Sequence, residues 1–177
     1  LHYHSDLDAL KLKRFPEEID VDFLIDQIKG HKKAREKLPE WANNSDVIYP
    51  PYLSMEQCSS EFTARRKADF FLGNSILDMT GGMGVDAYFI SKHVDHYTLV
   101  EQQAKLAAID VYNFKKLGQD NIKVITRDSV DVLNEGKKYD IIYIDPARRK
   151  DTRFDKNSRA FFLEDFRPNV ISIYDQL

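Results

Sequence analysis

SILDMTGGMGVD, Ser75 to Asp86, reads as a strand, a sharp turn and the start of a helix. A short apolar run, Ile76 and Leu77, leads into Asp78, and Gly81, Gly82 and Gly84 follow within four positions of one another. A turn from strand to helix needs backbone angles that a Cβ disfavours, and a ligand approaches main chain closely only where no side chain intervenes. The helix that follows brings free N–H groups and the positive end of its dipole to the same spot.

Outward from this turn, toward the C-terminus, strand and helix patterns alternate, which predicts a parallel sheet. The expected strands are Ser75 to Met79, His96 to Glu101, Ile122 to Thr126 and Tyr139 to Ile144, with a helix over Gln103 to Leu117 that Gly118 ends. The predicted strands deliver Asp78, Glu101, Arg127-Asp128-Ser129 and Asp145-Pro146 at their carboxyl ends, the side of an open sheet where ligands bind. Two ligands compete for the loop. Gly82-Met-Gly84-Val-Asp-Ala87 satisfies the dinucleotide pattern G-x-G-x-x-G/A, with Glu101 at a suitable distance for a ribose. Asp78, Gly82 and Gly84 also fall in register with D-x-G-x-G-x-G, the S-adenosylmethionine loop, with Thr80 in place of its first glycine. Asp78 favours the second reading, because a carboxylate suits a cationic methionine portion and has no such use against a pyrophosphate.

The chain has 177 residues, 42% hydrophobic and 12% aromatic, enough for one globular domain with an extension. No apolar run approaches the roughly 18 residues of a membrane span, and the polar N-terminus is no signal peptide. A single cysteine, Cys58, forms no internal disulfide and suits a cytoplasmic protein. A net charge of −3 argues against an indiscriminate polyanion binder but leaves local basic patches open. No clustered His/Cys metal site is visible. The chain starts at Leu1, which suggests a piece of a longer protein.

Residues 1–74 read as a helical extension and 75–177 as the α/β domain. Ser5 is placed to cap a short helix carrying Leu7, Leu10 and Leu12. Asp20 is placed to cap a longer one with Leu24, Ile28, Ala34 and Leu38 along one face until Pro39. Its cationic run, His31 to Lys37, reads first as a solvated face. Trp41 to Leu53 reads as a loop. Ser54 with Gln57, and Ser60 before Glu61, are cap signals. A helix from Glu61 buries Ala64, Ala68, Phe71 and Leu72 and sets its N-terminus beside the loop, with Glu61 and Thr63 as candidate cofactor contacts. The tail from Asp165 to Leu177 is read as helix in preference to strand.

Three segments, YPPYLSMEQCSSEFTARRKA (Tyr49 to Ala68), LDMTGGMGVD (Leu77 to Asp86) and YIDPARR (Tyr143 to Arg149), resemble the class I S-adenosylmethionine-dependent methyltransferases. In particular they look like a bacterial family of such enzymes whose members usually continue into a C-terminal THUMP-like domain. The resemblance implies a Rossmann-like sheet, S-adenosylmethionine held by Asp78, Thr80, Gly82, Gly84, Glu101 (ribose) and Asp128 (adenine), and an acceptor side at Asp145, Pro146 and Arg148. RNA is the implied substrate class, methylated on a base nitrogen. The sequence departs from the D/N/S-P-P-F/Y/W pattern of amino-methylating enzymes: Ala147 replaces the second proline and Arg148 the aromatic, leaving a guanidinium to stack on a base or pair with a phosphate. A basic stretch follows, with Arg149, Lys150, Arg153, Lys156 and Arg159. The sheet is expected to be incomplete at the C-terminus, with an exposed edge that favours oligomerisation. A nicotinamide oxidoreductase and a non-catalytic RNA- or protein-binding module are the rival readings.

Overall fold

The computed structural model describes residues 19–146 and 166–177, together with Leu7, Lys13 and residues 15–17. Apart from Leu7, which is helical and buried, the expected first helix lies outside the described residues, as does the segment from Ala147 to Arg159.

Among the described residues the extension supplies the helices α1 (Val21–Lys37), α2 (Pro39–Ala42), α3 (Tyr52–Gln57) and α4 (Glu61–Ala68). Asp20 caps α1 by accepting from the Phe23 N–H, and Ser60 caps α4 by accepting from the Thr63 N–H. The α/β part then runs β1 (Ser75–Asp78), α5 (Val85–Ile90), β2 (His96–Val100), α6 (Ala104–Lys116), β3 (Ile122–Ile125), α7 (Ser129–Leu133), β4 (Ile141–Tyr143) and α8 (Val170–Ile173). Within the tail only Val170–Ile173 forms the expected α-helix, capped by Asn169 through Oδ1, which accepts from Ile171 N at 3.1 Å and Ser172 N at 3.3 Å; residues 166–169 precede it without helical structure.

All four strands are parallel, in the order β3-β2-β1-β4. The chain steps outward from β1 to β2 and β3, then returns to place β4 on the other side of β1. The reversal puts the topological switch point at the carboxyl ends of β1 and β4, where the glycine turn begins. The sheet alternates with period two: Ile76 faces one core and Leu77 the other.

The larger core is shared between the extension and the α/β part. Leu38, Trp41, Met55, Ala64 and Ala68 pack with Ile76, Tyr88, Phe89, Tyr97 and Phe114. Trp41 is fully buried, edge-on to Tyr88 at 5.7 Å. Polar ties reinforce this contact. Tyr88 OH donates to Glu40 Oε1 at 2.6 Å, and the Asn113 amide brackets Ile48, accepting from its N–H at 2.9 Å and donating to its carbonyl at 2.8 Å.

Several expectations are corrected. Trp41 lies in α2, not in a loop, and α3 begins at Tyr52, so Ser54 is inside a helix and caps nothing. Of the predicted α1 stripe, Ala34 and Leu38 are buried, whereas Leu24 and Ile28 are exposed because the earlier turns pack through Ile25 and Gly30 instead. Leu72 is 84% exposed because α4 stops at Ala68 and the helical register ends with it. In α6 the buried face carries Leu106, Ala107, Asp110, Asn113 and Phe114, whereas Val111 is exposed.

Candidate active site

The carboxyl ends of β1, β2 and β4 and the N-terminal end of α7 open into one cleft of about 1100 Å³, with Ser59, Thr63 and Lys67 of the extension forming part of its wall. The turn after β1 is built from its own main chain. Gly81 N donates to Val100 O at 3.0 Å, drawing the loop against β2. Gly82 and Gly84 have φ of +60° and +68°, a region costly for any residue with a Cβ. A Cβ at Gly84 would lie 2.5 Å from the Phe114 ring, whereas at Gly82 only Thr80 O comes within 4 Å, at 3.9 Å. Gly84 is therefore needed for packing on α6, and Gly82 leaves the main chain open.

Two buried carboxylates brace this turn. Asp78 accepts from Thr80 N at 2.8 Å, Thr80 Oγ1 at 3.2 Å and Tyr97 OH at 2.9 Å. Burial raises its pKa to about 6, against the pull of those hydrogen bonds. Glu101 accepts from Gly82 N at 2.9 Å through one oxygen and from Gln103 N at 2.7 Å through the other. Both acids line the cleft. Both also hold its floor in shape. Behind the turn, Asp110 is fully buried with neither carboxylate oxygen hydrogen-bonded among the described residues, and burial, with Glu101 and Asp78 nearby, pushes its pKa well up.

Thr80 links this floor to the far side. Its Oγ1 donates to Asp78 and accepts from Asp145 N at 2.8 Å. The Asp145 side chain, 54% exposed, is held by a cluster that the sequence reading did not assign. Lys67 Nζ donates among Asp145 Oδ2 at 2.6 Å, Asp86 Oδ2 at 2.8 Å, Tyr143 OH at 2.9 Å and Ser59 Oγ at 3.1 Å. Tyr143 OH also lies 3.0 Å from Asp86 Oδ2 and 3.3 Å from Asp145 Oδ2. Burial works against the Lys67 charge, but Asp145 and Asp86 outweigh it and raise its pKa above the usual lysine value. Asp86 Oδ1 is buried without a hydrogen-bond partner among the described residues. Spacing held a partial signal for this cluster: Lys67 is one turn beyond Thr63 on α4, and Tyr143 is two residues before Asp145 on the same side of its strand.

The remaining candidates divide. Asp128 lines the cleft, is exposed, and caps α7 by accepting from Val130 N at 2.8 Å. Thr63 and Pro146 also line the cleft. Glu61 does not: it accepts from Glu40 N at 2.8 Å and pairs with Arg65 at 3.0 Å, so it ties α4 to α2. Arg148 lies outside the described residues.

Among the described lining residues six are acidic (Glu56, Asp78, Asp86, Glu101, Asp128, Asp145) and three basic (Lys67, Arg127, Arg167). Two of the cations are already engaged, Lys67 by Asp86 and Asp145 and Arg127 by Glu135. Such a cleft attracts a cationic ligand rich in hydroxyl and amine donors and repels a bare polyphosphate.

A family model described as conserved hypothetical protein 95 matches residues 67–160, more than half of the chain. A proposed methyltransferase from Porphyromonas gingivalis W83 has a similar structure over 97% of this chain, with a TM-score of 0.79 and 27% identity. This chain spans 42% of that protein's length. An S-adenosylmethionine-dependent methyltransferase from Agrobacterium tumefaciens aligns at 20% identity over 66% of this chain and 38% of its own, with a TM-score of 0.46. The tRNA (m1A58) methyltransferase of Aquifex aeolicus aligns at 16% over 52% and 39%, with a TM-score of 0.40. The last two are too distant to carry an argument. No curated protein matches the chain significantly in sequence.

Proposed function

The chain belongs to the family described as conserved hypothetical protein 95, and we propose that it is the cofactor-binding and acceptor-orienting part of an S-adenosylmethionine-dependent methyltransferase that acts on RNA. The observation that carries this reading is the acidic cleft at the switch point of the sheet, with the open main chain of Gly82 at its floor. The donor set fits the cofactor. A carboxylate offers about four lone-pair sites, so Glu101 retains acceptor capacity for ribose hydroxyls beside its two backbone contacts. Asp128 suits the adenine amine. Asp78 keeps the turn closed and adds negative charge near the methionine end, and Thr63 and Thr80 line the same wall. Bound S-adenosylmethionine supplies a methyl group already activated on a sulfonium.

The chain's own task is then to hold the acceptor, a proximity effect worth up to several kcal/mol. Asp145 is the residue for it: a carboxylate at the cleft, with its backbone N–H fixed by Thr80, that accepts a hydrogen bond from a base amine. Pro146 stiffens the chain beside it. Arg148 and the basic residues to Arg159 suit RNA phosphates, and a THUMP-like domain elsewhere in the full protein would add to that grip. The single cysteine and the lack, among the described residues, of any helix long and apolar enough to cross a membrane are compatible with a cytoplasmic enzyme.

A nicotinamide dinucleotide fits poorly, because Asp86 in the first turn of α5 brings a carboxylate to the helix end where a pyrophosphate would lie. The test is calorimetric titration with S-adenosylhomocysteine and, separately, NADH. Binding of the first alone is expected; binding of NADH alone, or of neither, overturns the reading. Anisotropy with a single-stranded RNA tests the substrate class. Affinity should fall steeply between about 50 and 200 mM salt, and a flat response removes RNA.

A further inference from the structure

We propose that Lys67 is a positioning residue for the acceptor side: its ammonium holds Asp145 by Oδ2, leaving Oδ1 as the acceptor for the group to be methylated. This rests on the methyltransferase reading of the cleft. Asp145 has two described tethers, Thr80 Oγ1 on its backbone N–H and Lys67 Nζ, supported by Tyr143 OH, on its carboxylate. No other described residue engages its side chain, and Oδ1 has no described partner. Without Lys67, a side chain 54% exposed would be free to sample its rotamers.

The arrangement differs from an ordinary surface ion pair. Lys67 is only 27% exposed in its side chain, and acceptors from three separate segments, at Ser59, Asp86 and Tyr143-Asp145, converge on it within 3.1 Å. An ammonium has three protons to donate, so all are committed inside the cluster and none is needed by solvent. Charge gives a second reason. Asp86 and Asp145 both approach Tyr143 OH; with Lys67 the group carries one net negative charge, and without it two carboxylates repel each other across one hydroxyl. Lys67 therefore sets both the orientation of Asp145 and the charge met by the acceptor.

Sinefungin tests this without a known RNA substrate, because it places a protonated amine where the cofactor carries its methylated sulfur. The quantity to measure, by calorimetry on the 177-residue chain, is the affinity for sinefungin relative to S-adenosylhomocysteine. Lys67→Met and Lys67→Gln should each raise that ratio about tenfold, since removing one positive charge a few ångströms away strengthens the attraction for the ammonium of sinefungin. Lys67→Arg should keep the wild-type ratio, and adding Asp145→Asn to Lys67→Met should cancel the gain. A ratio within about twofold of wild type in both neutral variants, or a gain that survives Asp145→Asn, overturns the inference; the second result would place the effect at Asp86. A uniform loss of affinity for both ligands leaves the ratio unmoved and reduces Lys67 to a structural residue. If the wild-type chain binds neither ligand, the methyltransferase reading itself fails and this inference goes with it.

Discussion

The two sides of the cleft are held by different means. On the cofactor side, Asp78 and Glu101 are buried and spend much of their hydrogen bonding on backbone N–H groups, two of them only two residues away, at Thr80 and Gln103. On the side proposed for the acceptor, Lys67 and Asp145 are 78 residues apart in sequence, joined side chain to side chain and partly open to solvent. A binding floor made of main chain and buried acids is rigid by construction. A wall made of long side chains can be re-aimed by a single substitution, which suits a scaffold that keeps one cofactor and varies its acceptor.

If the cofactor side is as tightly built as this contrast implies, Gly84→Ala should show the largest effect. Its φ of +68° strains any Cβ, and that Cβ would lie 2.5 Å from Phe114; strain and overpacking together should cost about 3 kcal/mol. Urea unfolding measures this, and a loss under about 1 kcal/mol would mean that the turn has room to relax.

The next effect depends on pH. Asp78 has a folded pKa of about 6 against 3.8 for the free group. A raised carboxylate pKa means that the folded state binds its proton more tightly than the unfolded chain does. Stability associated with Asp78 is therefore full below about pH 4 and falls as pH rises to about 6, by on the order of 3 kcal/mol. Asp78→Asn removes that dependence, so the stability of the variant relative to wild type should improve between pH 4 and pH 7. An unchanged difference across that range would show that Asp78 is not desolvated as its burial implies.

The smallest effect belongs to the acceptor side. Asp145→Asn removes half of a partly exposed ion pair, and such pairs contribute about 0–1 kcal/mol. Its unfolding free energy should stay within about 1 kcal/mol of wild type, with affinity for S-adenosylhomocysteine little changed. A loss above about 2 kcal/mol would erase the contrast between the two sides and make the Lys67 cluster part of the fold's foundation.

The strands and the glycine turn were legible because each is a local pattern: short apolar runs buried on both faces, punctuated by glycine and by acids at the strand ends. Helix faces were less legible. Apolar periodicity gives no sign that Asp110 and Asn113 of α6 are buried, because these polar residues are covered only when the extension and the glycine loop pack over them. Glu61 was read as a cofactor contact from its place at a helix start, but Glu40 and Arg65 claim it. Lys67 was passed over because a lysine in ARRKA looks like a solvated face until β4 and α5 are brought against it.

From the sequence alone come the four strands and their succession, the glycine turn, and the placement of Asp78, Glu101, Asp128 and Asp145 at strand ends, because these depend on backbone periodicity and on residues a few positions apart. Tertiary structure alone decided that the extension shares a core with the sheet, that Asp78 and Glu101 act first as braces, and that Lys67, Asp86 and Tyr143 converge on Asp145. Those facts depend on burial and on contacts between residues tens of positions apart, where the free energy of a side chain is set by what the fold brings beside it.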